Sequence, residues 1–259
     1  MAASTAARTT VNQRSSTTSP RSWSATMGEP MRHLEPDYDD NQERWLTTVS
    51  VGKRFGSGNV HQPAAERIVA ESLRPVVDIG CGDGELARRL PAAWPWVGVD
   101  RSPTMLARAP KPATQGDARV LPFPDETFGA VAMLWMLYHL PDPETALAEA
   151  RRVLKPGGLL MASTSSQHDS PELAHVHSIG VVSFNAENAS DMVGRHFEEI
   201  ELDRWDAPYY HLPDKEAVRD YLVGRTMPVA EAERAAERVD TPLDVTKRGV
   251  LVFARKVRA

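Results

Sequence analysis

Residues 76–86 read Val-Val-Asp-Ile-Gly-Cys-Gly-Asp-Gly-Glu-Leu. A short apolar run is broken at Asp78, and glycines follow at 80, 82 and 84. Apolar residues then recur at Leu86, Ala87 and Leu90 with helical spacing. Strand, tight turn and helix in that order open a doubly wound α/β sheet. Gly80 and Gly82 let the backbone turn sharply and keep side chains out of the space across the turn. Free N–H groups at a helix start would face the same space.

Glycine spacing separates the nucleotide classes. A dinucleotide turn reads G-x-G-x-x-G. Here the third glycine, Gly84, arrives one residue early and Glu85 follows. The run instead resembles the D-x-G-x-G-x-G motif of class I S-adenosylmethionine-dependent methyltransferases. That resemblance implies that Asp78 faces the methionine ammonium of the cofactor, with Gly80, Cys81 and Gly82 beside it. The plainer alternative is a turn that only lets strand and helix pack.

Four further landmarks stand in the order the resemblance requires. Residues 96–100 form a short strand ending in Asp100, 22 residues beyond Asp78, with Arg101 next to it. An acid at that point accepts hydrogen bonds from ribose hydroxyls; the bland reading is a solvated loop acid. Ser102 and Pro103 supply an N-cap and a proline at the first helical position, with Met105, Leu106 and Ala109 as the apolar face. At Gly116-Asp117-Ala118 the family places an acid that closes the third strand and accepts from the adenine amino group; Ala118 and Met105 would contact the ring. Residues 129–139 are a buried strand with a polar-aromatic end, where the family leaves a backbone carbonyl near Leu134 or Trp135 for the methionine amine. Lys155-Pro156-Gly157-Gly158 is a helix stop and turn before a strand over 159–163. The block over 76–164 resembles the small-molecule branch that includes the ubiquinone- and sterol-pathway enzymes.

The resemblance implies a Rossmann-like, doubly wound, seven-stranded α/β sheet, mostly parallel with an antiparallel last strand. A length of 259 residues suits one such domain with additions. Residues 1–30 are rich in Ser, Thr and Ala and read as a disordered tail, although a transit peptide or an early start codon fits the composition too. Residues 31–259 are a single domain. Within it, 31–75 form a helical lid with helices near 38–45 and 63–73, and 53–58 form a flexible basic loop. The cofactor-binding core is 76–164, and substrate-cap elements with a late strand occupy 165–247. A last strand covers 248–259. The cap has helical runs near 187–197, 214–222 and 229–239; a crossover helix follows Asp142. An insertion over 206–247 separates the last two strands.

The formal net charge is −5, which gives no global electrostatic case for nucleic acid. The single cysteine, Cys81, excludes a disulfide framework. No apolar run is long enough to span a bilayer, and we expect a cytoplasmic monomer or homodimer.

Methyl transfer from a sulfonium is an in-line displacement on an already activated donor. The protein's main task is to hold an acceptor lone pair about 3–3.5 Å from the methyl carbon. His139 is the candidate base, where the fourth strand meets the acceptor side; a structural or cofactor-facing role is the alternative. Trp135 and Tyr138 either border the cationic sulfonium or fill space beneath the lid. Tyr209, Tyr210 and His168 are candidate pocket residues. His168, Asp169, His175 and His177 lack a recognisable metal-site spacing, and no metal is expected. The cofactor is S-adenosylmethionine, yielding S-adenosylhomocysteine, and the partner is a small molecule methylated on O, N or C, a natural-product intermediate by composition. Alternatives are an RNA or protein methyltransferase, a non-catalytic cofactor-binding protein, and a dehydrogenase; Trp135-Met136-Leu137-Tyr138 in place of an Asn-Pro-Pro-Tyr-like sequence argues against the amino-methylating enzymes of adenine and of protein glutamine.

Overall fold

The computed structural model of the chain describes residues 8–10, 34–178 and 180–257. Of the tail expected over 1–30, only Arg8–Thr10 (β1) is described, an edge strand antiparallel to β7; the rest lies outside the described residues. The other seven strands are β2 (Val76–Ile79), β3 (Trp96–Asp100), β4 (Ala113–Gln115), β5 (Phe128–Leu134), β6 (Leu154–Ser165), β7 (Glu198–Leu212) and β8 (Leu243–Arg255). They lie in the order β1-β7-β8-β6-β5-β2-β3-β4. The pairs from β4 to β6 are parallel, whereas β8 runs antiparallel to both β6 and β7. The expected doubly wound sheet with an antiparallel last strand is therefore present.

Strand alternation divides the core. Val77, Ile79, Val131 and Met133 face one layer, packed with Leu147, Ala150 and Val153 of α4 (Pro143–Val153). Val76, Ala130 and Ala132 face the other, packed with Ala64, Ala65 and Ile68 of α2 (His61–Ala70). These buried β-branched and small residues on both faces are what parallel strands covered by helices require.

A third core unites regions distant in sequence. Val51 of α1 (Gln42–Phe55) packs with Val218 and Leu222 of α6 (Lys215–Gly224) and Ala232 and Ala235 of α7 (Val229–Ala236). The lid helix and the late insertion thus form one cap, borne on the extended ends of β7 and β8.

Several boundaries differ from expectation. The first lid helix begins at Gln42, because Asn41 supplies the N-cap through its side-chain oxygen to Arg44 N. It then runs to Phe55, so Lys53 and Arg54 lie in its last turn and not in a loop. The helix expected after the glycine turn is a single 3-10 turn, Ala87–Arg89. Pro91 holds Leu90 extended (ψ 151°) and stops it. The helix expected over 187–197 shortens to α5 (Ala189–Val193), ended at Gly194. The insertion narrows to 213–242, since β7 continues through Leu212 and β8 begins at Leu243. Lys155-Pro156-Gly157-Gly158 bulges out within β6, four residues opposite Gly129. No helix among the described residues is long and apolar enough to cross a membrane.

Candidate cofactor and acceptor site

The carboxyl ends of β2, β3 and β5 meet at the centre of the sheet, where the parallel order reverses direction. Ligands of open α/β sheets bind at such a point. The glycine turn there is left-handed at Gly80 (φ 69°) and Gly82 (φ 55°). A Cβ on Gly80 would stand 2.7 Å from the Met136 Cβ, whereas one on Gly82 would meet no atom within 4 Å. One glycine is needed for close packing and the other leaves an open cradle.

Two acids line this cradle. Asp78 is 3% exposed, and burial pushes its carboxyl up to about 7. The Trp96 indole N–H approaches without a well-formed hydrogen bond and opposes the rise, while the charge of Asp100 adds to it. Asp100 ends β3; its Oδ2 accepts the Gly82 N–H at 2.7 Å and its Oδ1 accepts the Ser102 N–H at 2.9 Å. Burial raises its carboxyl, and the backbone N–H groups of Ser102, Gly82 and Arg101 oppose that shift. A carboxylate has about four acceptor positions, so Asp100 keeps capacity for a further donor. Burial also pushes the Cys81 thiol up, which suits a small packing residue and not a nucleophile.

Ser102 caps α3 (Pro103–Leu106) by accepting the Met105 N–H at 3.1 Å, and Met105 is fully buried. Ala118 is also buried. Asp117 stands two residues beyond β4, bound to the Arg119 guanidinium, which holds its carboxyl down to about 2. Arg101 lies within electrostatic reach of Asp117, and its carbonyl accepts from Gln115.

β5 ends at Leu134, and Trp135 is left-handed (φ 59°). A bulky residue there is strained, and such strain gathers at functional sites. Ser163 Oγ holds the Trp135 N–H at 3.1 Å, and Trp205 packs edge-on to the Trp135 ring. The chain then makes a 3-10 turn over Leu137–His139.

The N-terminal segment crosses this end of the sheet. Leu34 N donates to Tyr138 O at 3.0 Å, and Asp39 Oδ1 accepts from Ser102 Oγ at 2.6 Å and Thr104 N at 3.2 Å. His139 is fixed between Leu34 O (Nδ1, 2.5 Å) and the Tyr38 hydroxyl (Nε2, 3.1 Å). Burial lowers its pKa.

On the cap side, Tyr210 stacks edge-on against Tyr221 at 5.1 Å. Tyr209 packs on Gly56 and Gly58, at which Ser57 N donates to Tyr209 O. Both tyrosines belong to β7 and not to the insertion. His168 is exposed, and its neighbour Asp169 turns inward to Lys247 and Arg225. Tyr38, Asp39, Asp169, Arg225 and Lys247 were not singled out by sequence for cofactor or acceptor contact. In the sequence Asp169 enters only as part of a candidate metal cluster.

Comparison with known proteins bears on the family and the fold. Residues 77–162 match the family described as "Methyltransferase domain". The demethylmenaquinone methyltransferase of Lactiplantibacillus plantarum is 40% identical over 153 residues, 53% of this chain and 62% of that protein. The 2-phytyl-1,4-naphtoquinone methyltransferase of Synechococcus elongatus is 32% identical over 148 residues, 51% of this chain and 54% of its own length. The chain thus spans less than two thirds of these relatives. Among solved structures, the YcgJ protein of Bacillus subtilis superposes with a TM-score of 0.56 at 19% identity, covering 71% of this chain and 92% of that one. The cyclase SpnF gives 0.57 at 21% identity, covering 89% and 100%. These likenesses concern the fold. Residues 77–162 form a methyltransferase domain of the class I, S-adenosylmethionine-dependent family.

Proposed function

We propose that the chain transfers a methyl group from S-adenosylmethionine to an O, N or C nucleophile of a small molecule. The observation that carries this reading is the open left-handed turn at Gly82, flanked by the buried acid Asp78 and the half-buried acid Asp100. A side chain would fill that cradle, and two acids suit a ligand bearing an ammonium, a sulfonium and ribose hydroxyls. When bound, the cofactor supplies a methyl group already activated on sulfur.

The chain's own residues then bind, orient and move a proton. Asp100 accepts from the ribose hydroxyls beside Gly80, Cys81 and Gly82. Asp78 offers negative charge to the methionine end, and Leu134 lends its carbonyl there. Met105, Asp117, Ala118 and Arg101 surround the adenine side. The lid closes over the cleft through Asp39, excluding water. Trp135, Tyr138, Tyr210, Tyr209 and His168 border the acceptor. His139 takes the acceptor's proton, with Tyr38 between: the hydroxyl gives its proton to Nε2 as it receives one from the acceptor.

The two quinone-modifying relatives make a reduced naphthoquinone the first acceptor to assay; a natural-product phenol is the second. SpnF, named a cyclase, shows that this fold alone does not decide the reaction, so turnover has to be measured. Incubation with methyl-labelled S-adenosylmethionine and 1,4-naphthoquinol should yield labelled product and S-adenosylhomocysteine. Failure to bind S-adenosylhomocysteine in calorimetry would refute the proposal outright.

A further inference from the structure

Where the cap meets the end of β5, two cations share one carboxylate. Asp169 Oδ2 accepts from both Lys247 Nζ and Arg225 Nη2, while its Oδ1 accepts the Arg248 N–H at 2.8 Å. Asp169 and Lys247 are almost fully enclosed, with side chains 5% and 10% exposed. Lys247 is further held by Tyr221 Oη (3.4 Å) and Ser170 Oγ (3.5 Å), which bond to each other at 2.7 Å. Glu172 commits both oxygens to Thr246 and acts on Lys247 from a distance.

Arg225 is arranged differently. Its side chain is 25% exposed; Nη2 donates to Asp169, and the Tyr221 hydroxyl is a second polar neighbour. Its guanidinium lies 5.7 Å from the Tyr221 ring centroid and within electrostatic reach of the Tyr138 and Tyr210 hydroxyls. The Tyr138 ring in turn stands 4.5 Å from the His139 ring, which links this cluster to the candidate base. Arg44 anchors the backbone there by donating to Gly224 O at 3.3 Å, its own charge met by Asp37.

A guanidinium with five N–H donors, pinned by Asp169 and Tyr221, a quarter exposed and sharing its counter-ion with a lysine, keeps donors to receive a second oxyanion. Charge-assisted, two-point pairing is what this side chain does best. Resting on the methyltransferase reading above, we infer that the acceptor carries an oxyanion, a carboxylate or an ionised ring hydroxyl, that docks on the remaining N–H donors of Arg225 against Tyr138 and Tyr210. The cap then selects acidic acceptors, and their neutral isosteres bind weakly because they desolvate the remaining Arg225 N–H donors without supplying a charged acceptor.

The test uses the full chain saturated with S-adenosylhomocysteine and titrated with benzoate and with benzamide, its neutral isostere, by ligand-observed NMR. Benzoate should bind about tenfold more tightly or better. Arg225→Gln should abolish that ratio and Arg225→Lys should keep part of it. Arg225→Gln leaves Lys247 opposite Asp169, so the buried acid stays paired and the fold is kept. Lys247→Met, which leaves Arg225 opposite Asp169, should retain the preference and guards against a misfolded first variant. Equal affinities in the unaltered chain, no measurable benzoate binding, or a ratio unchanged by Arg225→Gln would overturn the inference. Arg225→Gln should leave S-adenosylhomocysteine affinity intact. Failure of the unaltered chain to bind that nucleoside would sink the methyltransferase reading instead, and the benzoate ratio would still be read on the free protein.

Discussion

The Tyr38 hydroxyl meets His139 Nε2 at 3.1 Å across 101 residues of sequence. A carbonyl oxygen only accepts, so the 2.5 Å contact between Leu34 O and Nδ1 puts the ring proton on Nδ1. Nε2 is then the acceptor and Tyr38 the donor. Burial disfavours the imidazolium, which keeps the pair ready to take a proton near neutral pH. His139→Ala should lower kcat by about 10²–10⁴ for an acceptor that must lose a proton. Tyr38→Phe should lower it in the same sense, and neither should change S-adenosylhomocysteine affinity by more than a few fold. If His139→Ala weakens cofactor binding and spares turnover, His139 belongs to the cofactor shell.

Asp100→Ala removes the acceptor proposed for the ribose hydroxyls and frees the Gly82 and Ser102 N–H groups that the carboxylate now holds. Hydrogen bonds to a charged group contribute about 1.5–3 kcal/mol, so affinity for S-adenosylhomocysteine should fall by about 10- to 100-fold. Unchanged calorimetric affinity would remove Asp100 from the cofactor site.

Local chemistry made the glycine turn and its flanking acids legible. Asp78, the glycines and Asp100 lie on short strand-turn segments whose roles depend on near neighbours, and Ser102-Pro103 announces its helix. The acceptor side was not legible for the opposite reason. Tyr38 and His139 come from the lid and the end of β5, and Asp169, Arg225 and Lys247 come from a loop, the end of α6 and β8. No spacing in the chain records such contacts. Lys53 and Arg54 were misread because two nearby glycines suggest a loop, yet the tertiary core around Val51 extends the helix past them. The short turn at Ala87–Arg89 shows the converse: one proline, Pro91, outweighs three apolar residues with helical spacing.

The two glycines of the turn should separate stability from binding. Gly82→Ala pays only for a left-handed backbone, about 1–2 kcal/mol, since its Cβ meets nothing within 4 Å. It should fold with a melting temperature about 2–8 °C lower and bind S-adenosylhomocysteine poorly, because the methyl group enters the cradle. Gly80→Ala meets the same backbone cost and a Met136 Cβ at 2.7 Å, so the backbone has to shift. Its loss should be about 3 kcal/mol or more, seen as the lower melting point of the two. Met136→Ala should not rescue it, because that Cβ remains. Equal melting points would contradict the packing described for Gly80.

Asp78 links protonation to both stability and ligand. In the unfolded chain it ionises at its ordinary 3.8, and in the fold at about 7. Between those values the folded chain keeps a proton the unfolded chain has lost, so this residue makes stability fall as pH rises from about 4 to 7, then level off. Asp78→Asn should remove that slope in denaturant titrations. A ligand that brings an ammonium and a sulfonium beside the carboxyl favours its ionised form, so binding at pH 7 should expel a fraction of a proton, up to about half per site. Calorimetry with S-adenosylmethionine in phosphate and in Tris, whose ionisation heats differ, reads that release as a difference between apparent enthalpies. Lys247, brought down to about 7 by its burial, titrates in the same range, so Asp78→Asn is the necessary control: it should cancel the difference while Lys247→Met leaves it. Affinity should rise from pH 6 to pH 8 in the unaltered chain and flatten in Asp78→Asn. Identical enthalpies in the two buffers would mean that Asp78 stays protonated beneath the turn and meets no cation.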